Sequence, residues 1–209
     1  MTQATQNRFR NLAIGELQNL ATELSGYSDY APLLSNGNGQ YSGHILGFVK
    51  GLRLSAKLIY FLRKCLSGKG LEVSWGHIID PSSGACSPEC DVIIHSPGFY
   101  EKWNGGDKPV MDFSFIEKDQ VKAVISCKSK VAAFDADYPQ LLRNMGINAV
   151  YVFGESCSKT NYPTLKTRAT SLGYLGFWVS YFTTGSNEEI EMDETHHEEF
   201  FNHMRDNIV

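Results

Sequence analysis

The chain has 209 residues, of which 42% are hydrophobic and 20% are charged, with a formal net charge of −4, and this indicates a folded domain with a sizeable core. No apolar run reaches the roughly 18 residues that a membrane span requires, and the start of the chain, MTQATQNRFRNL, lacks the apolar core of a signal peptide. The five cysteines are scattered and odd in number, which argues for reduced thiols, so we expect a cytoplasmic protein that has no membrane partner.

Two helices are predicted at the start of the chain. Apolar residues that recur at three- and four-residue steps predict one helix over residues 5–25 and a longer one over 42–66. Residues 26–40, rich in Gly, Asn, Ser and Pro, are predicted to interrupt them. The segment Ser67-Gly68-Lys69-Gly70 ends the second helix.

Strands and helices then alternate. The predicted elements are a strand at 71–79, a strand at 89–96, a surface loop at 97–112, a strand at 120–129, a helix at 137–145, a strand at 148–153, a helix at 162–172, a strand at 175–183 and a helix at 194–207. This order predicts an α/β domain with a mixed sheet.

Two of these strands carry the candidate site. Alternate side chains of a strand share a face, so Glu89 and Asp91 are expected on one face of the second strand, opposite Cys90. Ser126 and Lys128 are expected on one face of the third strand. If the two strands are neighbours, Asp91 lies beside Ser126 and Lys128.

This layout resembles the PD-(D/E)xK phosphodiesterase superfamily, the restriction-endonuclease-like nucleases. Ser87-Pro88-Glu89-Cys90-Asp91 is similar to the first half of the family motif, and Ser126-Cys127-Lys128 stands where an acid-x-Lys sequence belongs. The family's αβββαβ core can be laid on residues 42–153. Together with Phe61-Leu62-Arg63 and Ile125 to Ser129, these segments resemble a bacterial branch of the superfamily.

The resemblance implies hydrolysis of phosphodiester bonds in nucleic acid with Mg²⁺ or Mn²⁺ as cofactor. Asp91, helped by Glu89, would hold the cation, because Mg²⁺ prefers carboxylate oxygens and water. The cation would polarise the phosphate and help to generate hydroxide. Lys128 would serve the attacking water or offset charge on the phosphate.

The sequence departs from the family pattern at two positions. Ser126 replaces the acid that precedes the lysine by two residues, and Ser55 stands where the preceding helix usually supplies a Glu. Glu89 is the first candidate to compensate, and Glu16 and Glu23 of the first helix are further candidates. We therefore expect a weakened or degenerate metal site.

Three functions stay open. The first is a metal-dependent endonuclease. The second is a catalytically inactive protein of the same fold that acts as a binding or regulatory subunit in bacterial defence, with a protein partner or a second copy of itself. The third is an unrelated α/β protein. Lys50, Arg53 and Lys57 on the second helix are the candidate nucleic-acid-binding residues.

The whole chain, residues 1–209, is expected to form a single restriction-endonuclease-like domain. Residues 1–40 supply an N-terminal helix and loop, residues 41–153 the core, and residues 154–209 a C-terminal extension with an acidic tail. The residues after 185 include eight acids and one base, a net charge of −7. The rest of the chain includes 18 bases and 15 acids, a net charge of +3. A weakly basic body permits nucleic-acid binding without requiring it.

Overall fold

The structure is a computed structural model and describes residues 3–34, 43–99, 101–103, 113–185 and 189–208. Its helices and strands are, in chain order, α1 (Gln3–Leu34), α2 (Gly43–Cys65), β1 (Glu72–Asp80), β2 (Ala85–Cys86), β3 (Cys90–His95), β4 (Glu101–Trp103), β5 (Phe113–Glu117), a 3-10 turn (Lys118–Gln120), β6 (Val121–Lys130), α3 (Tyr138–Asn144), β7 (Val150–Ser158), α4 (Tyr162–Leu172), β8 (Gly176–Thr184), β9 (Glu189–Glu191) and α5 (Glu194–Asn207).

The strands form one mixed sheet in the order β4-β5-β1-β3-β6-β7-β8-β9, with β2 paired to β1 as a short hairpin. β6, β7 and β8 run parallel to one another, whereas β3 runs antiparallel to both β1 and β6. The sheet therefore contains the αβββαβ core that the sequence predicts, as α2, β1, β3, β6, α3 and β7.

Helices cover both faces of this sheet. One apolar cluster joins α1, α2 and α5 to one face, and it contains Leu58, Val92, Ile125, Phe153 and Phe200. A second cluster joins α3 and α4 to the other face. β7 is buried on both faces along nearly its whole length, and its first half, residues 150–153, is a continuous apolar run, as is typical of parallel central strands.

Local sequence signals explain where the later helices begin and end. Asp193 caps α5 by accepting a hydrogen bond from the backbone N–H of His196, which satisfies one of the free donors of the first turn. Helix α4 has a proline in its first turn, where the missing N–H costs nothing. It ends at Gly173, whose φ of 97° is left-handed.

Most predicted elements are confirmed, and α4 and α5 have the predicted bounds. The predicted interruption from residue 26 is wrong as far as residue 34, because α1 continues to Leu34; residues 35–42 lie outside the described ranges. Strand β4 lies within the predicted loop at 97–112, of which residues 100 and 104–112 are outside the described ranges, and β5 was missed. Both are short and pair at the end of the sheet, so pairing rather than local sequence defines them.

Within the described residues, none of the helices combines the length and the apolar character needed to cross a membrane.

Candidate active site

The two strands expected to carry the site are neighbours. β3 and β6 pair antiparallel, with Val92 opposite Ile125 and Ile93 opposite Val124. Continuing this register by one residue brings Asp91 opposite Ser126. The sheet thus brings together the two halves of the motif, which are separated by 35 positions in the sequence (91 and 126).

Asp91 is half-buried at the start of β3. Its Oδ2 atom accepts a hydrogen bond from the backbone N–H of Cys127 at 2.8 Å, and its carboxylate also interacts with the Ser126 hydroxyl. Burial raises the pKa of Asp91, and the negative charge of Glu89 adds to this effect; the Cys127 N–H and the positive charge of Lys128 oppose it. Asp91 therefore lies among all three other residues predicted for the site.

Glu89 occupies an exposed position just before β3 rather than within it. The indole Nε1 of Trp75 in β1 donates a hydrogen bond to its Oε1 atom at 2.7 Å. This bond fixes one carboxylate oxygen and leaves the other available. Trp75 is a site residue that the sequence did not reveal, since a tryptophan in an apolar strand usually reads as core.

The side-chain alternation predicted for this segment is wrong at its first residues. Val92 and Ile94 pack against the helices α1, α2 and α5 as a pair, but Cys90 packs with Ile93 in the cluster of the opposite face. Strict alternation from residue 89 would place Cys90 with Val92. The backbone is therefore irregular where Glu89 and Asp91 are presented.

The irregularity has a partner in β1, where the pairing register with β3 shifts between Ser74 and Gly76. Gly76 has a φ of +148°, and a Cβ atom there would lie 1.9 Å from the backbone oxygen of Ser114. Only glycine fits both the conformation and the close approach of β5. This glycine allows the distortion next to Trp75.

Helix α2 packs over β6, and Ser55 is one of the α2 residues that contact this strand. The Ser55 hydroxyl donates to the backbone oxygen of Gly51 at 3.0 Å and interacts with the thiol of Cys127. Burial raises the pKa of that thiol well above its usual range. The position where the family supplies a helical Glu thus faces the residue between Ser126 and Lys128.

The two α1 acids form ion pairs with α2. Glu16 pairs with Lys64 at 2.8 Å, and Glu23 pairs with Lys57. Neither contacts Asp91 among the interactions of the described residues. That Glu16 or Glu23 replaces a carboxylate missing from the site stays a prediction.

The predicted nucleic-acid-binding residues lie along α2. Arg53 donates to the backbone oxygen of Glu23 at 3.0 Å, and Lys57 forms its ion pair with the same residue. The side chain of Lys50 lies outside the part of the structure that is described. Phosphate contact by these three residues stays a prediction.

Two further polar side chains near the motif were missed by sequence reasoning. Glu155 is 5% exposed in β7, next to Gly154, which pairs with Lys128, and its Oε1 atom accepts a bond from the Tyr181 hydroxyl at 3.2 Å. Tyr138, at the start of α3, places its buried ring close to Cys90 and Asp91. An acid inside an apolar strand was the available signal for Glu155.

The donor set fits a lightly held cation. Within the described ranges, no three His, Cys, Asp or Glu side chains converge as metal ligands. Mg²⁺ keeps several waters and is commonly held by one or two carboxylates together with substrate phosphates. Asp91 and Glu89 are the two carboxylates available for this role, whereas the hydroxyl of Ser126 is only a neutral, weak ligand.

No protein-family model matches the sequence, and a search of curated proteins gives no match either.

The fold of this chain is similar to the folds of solved structures. NucC from E. coli MS115-1 in its cAAA-bound form aligns with a TM-score of 0.63 at 12% identity, covering 95% of this chain and 89% of that one. NucC from P. aeruginosa ATCC27853, also cAAA-bound, aligns with a TM-score of 0.61 at 13% identity, covering 94% and 90%. The apo form of the E. coli protein aligns with a TM-score of 0.51 at 12% identity, covering 80% and 91%. At these identities the likeness establishes the fold, and it confirms the predicted fold class.

Proposed function

We propose that this protein is a nuclease of the restriction-endonuclease-like fold that hydrolyses phosphodiester bonds of nucleic acid at a weakened metal site. Solved structures that share its fold include those of NucC from E. coli and P. aeruginosa, and we extend a role in bacterial defence to this chain. The observation that carries the proposal is the meeting of Asp91, Ser126 and Lys128 across the β3–β6 pair.

Each residue has a distinct role. Asp91 and Glu89 would hold Mg²⁺ or Mn²⁺, which when bound polarises the scissile phosphate and supplies hydroxide from water. The Lys128 ammonium orients the attacking water and offsets the negative charge that develops on the phosphate oxygens. Ser126 contributes a hydroxyl that interacts with Asp91. Trp75 keeps Glu89 in position through its indole N–H.

A second function is favoured by how the carboxylates are already engaged. Asp91 accepts from the Cys127 N–H and Glu89 accepts from Trp75, and serines stand at 126 and 55, where the family supplies carboxylates. An inactive protein of the same fold, binding nucleic acid, a protein partner or a second copy of itself, would retain this arrangement. Function depends on the site rather than on the fold, so the two candidates must be separated by activity.

A cleavage assay separates them. Wild type, Asp91→Ala and Lys128→Ala are incubated with single- and double-stranded DNA and RNA in Mg²⁺ or Mn²⁺, each with and without cAAA, the molecule bound in the two NucC structures. Cleavage that both variants lose supports the nuclease. Binding without cleavage in any metal supports the inactive protein. Cleavage that neither substitution affects would refute the assignment of this site.

A further inference from the structure

Four aromatic rings lie together on β1 and β5, one strand away from the candidate site. Trp75 pairs with Phe113 in the strand register, and His77 pairs with Phe115. All four side chains are half-buried, while the intervening Ser114 is buried. We call these four residues the aromatic platform. A set of partly exposed rings on one sheet face is a recurring device for holding unpaired nucleobases.

The rings form one continuous group. The Trp75 and Phe113 centroids are 5.1 Å apart in an edge-to-face arrangement, and those of His77 and Phe115 are 5.8 Å apart with planes within 19°. Phe113 also contacts His77 at 5.4 Å and Phe115 at 5.4 Å. These contacts already restrain the four side chains. Stacking of a ligand ring on them would therefore cost little additional conformational entropy of the protein.

His77 adds a hydrogen-bonding atom to the platform. Its Nδ1 atom is 2.9 Å from the backbone oxygen of Ser87. A carbonyl oxygen only accepts, so Nδ1 carries the proton and Nε2 is the acceptor of the neutral ring. An acceptor beside stacked rings suits the N–H groups on the edge of a nucleobase.

A basic side chain lies at each end of the platform. The Nε of Arg63, an exposed residue of α2, donates to the backbone oxygen of Val73 at 2.9 Å. At the other end Lys118 follows β5 and forms an ion pair of 2.7 Å with Asp80. Val73 and Asp80 are separated by seven strand positions, or roughly 23 Å at about 3.3 Å per residue. A short single strand laid along β1 would pass the Arg63 guanidinium at one end and the Lys118–Asp80 ion pair at the other.

The platform is continuous with the candidate site through Trp75, which bonds to Glu89, and Glu89 in turn acts electrostatically on Asp91. From these observations we propose that the aromatic platform binds nucleobases of single-stranded nucleic acid by stacking. This inference rests on the proposed function for its biological meaning, since it places unpaired bases next to the phosphate to be cleaved. The binding itself requires no metal.

Fluorescence anisotropy tests the proposal. Labelled single-stranded DNA and RNA of about twelve nucleotides are titrated with protein in EDTA, so that cleavage cannot occur. Phe115→Leu keeps the apolar volume but removes the ring, and we expect it to weaken binding about tenfold. The matched control is Tyr60→Leu, which removes a 58% exposed ring on α2 and should leave the affinity unchanged.

Several outcomes would overturn the proposal. They are an absence of single-strand binding by wild type, equal affinity for wild type and Phe115→Leu, and an equal loss in Tyr60→Leu. Sedimentation showing that Phe115→Leu dissociates a dimer would assign the rings to a subunit interface instead. If Phe115→Leu does not fold, photocrosslinks from an iodouridine-containing strand to wild type must map to the platform; crosslinks confined to α2 would refute it. Because this binding is measured in EDTA, single-strand binding without cleavage in any metal would refute the nuclease proposal alone, whereas cleavage with equal single-strand affinity of wild type and Phe115→Leu would refute this proposal alone.

Discussion

Replacing Ser126 by Glu should convert the weakened site into a metal-dependent one. Ser126 is 5% exposed and lies beside Asp91, so a Glu at this position adds a carboxylate to a partly buried anionic site. Without a cation, an uncompensated buried charge destabilises a protein by roughly 3 kcal/mol. For a chain of this size, that corresponds to a fall in Tm of roughly 9 °C.

A divalent cation should reverse most of that loss. A cation at one hundred times its dissociation constant stabilises the folded state by about 2.7 kcal/mol. In thermal unfolding followed by circular dichroism, Ser126→Glu should therefore gain roughly 8 °C on addition of Mn²⁺, and wild type should gain less. Ser126→Gln is the matched control, since it has nearly the same volume without the charge.

Two results would refute this reasoning. If Mn²⁺ stabilises Ser126→Gln as much as Ser126→Glu, the cation is not bound by the new carboxylate. If Ser126→Glu is destabilised and Mn²⁺ leaves its Tm unchanged, Asp91 and Glu89 do not point to a common ligand position. Either outcome would favour the inactive protein over the nuclease.

Three further predictions concern pH, the sheet and phosphate contact. Burial lowers the pKa of His196 from 6.5 to about 4, so between these pH values the unfolded chain takes up a proton that the folded chain does not. The free energy of unfolding, measured by urea titration, should therefore fall by up to roughly 3 kcal/mol as the pH drops from 6.5 to 4. His196→Gln should flatten that decline. Gly76→Ala should lower the free energy of unfolding by at least about 2 kcal/mol, because its Cβ would meet the Ser114 backbone; an unchanged urea midpoint would contradict this. If Lys57 contacts phosphate, Lys57→Ala should reduce the slope of log K against log salt by about 1, while Glu23→Ala, which releases Lys57 from its ion pair, should strengthen binding.

The core of the fold was predictable from the sequence because its periodicities are strong. Helix α2 and the strands β1, β3 and β6 have clear apolar patterns, and the bounds of α4 and α5 follow from turn and cap residues such as Gly173 and Asp193. The short strands β4 and β9 have no such signal. Three residues at the end of a sheet are defined by their neighbours, which the local sequence does not contain.

The candidate site was predictable in its strands but not in its side-chain contacts. Strand order and motif spacing placed Asp91 next to Ser126 and Lys128. The bond from Trp75 to Glu89 depends on the distortion at Gly76, where β5 approaches β1. Because that approach joins segments far apart in the chain, no local pattern indicates it, and the strict alternation that the sequence suggested fails there.

Whether Asp91 and Glu89 together hold a divalent cation is measured most directly by Mn²⁺ titration, with free Mn²⁺ followed by electron paramagnetic resonance. We predict that wild type binds one Mn²⁺ weakly, that Asp91→Asn abolishes this binding, and that Glu89→Gln weakens it about tenfold or more. Lys128→Ala should leave it intact. Undiminished binding in Asp91→Asn would contradict the proposed site, and unchanged binding in Glu89→Gln would show that Glu89 does not replace the carboxylate missing at Ser126.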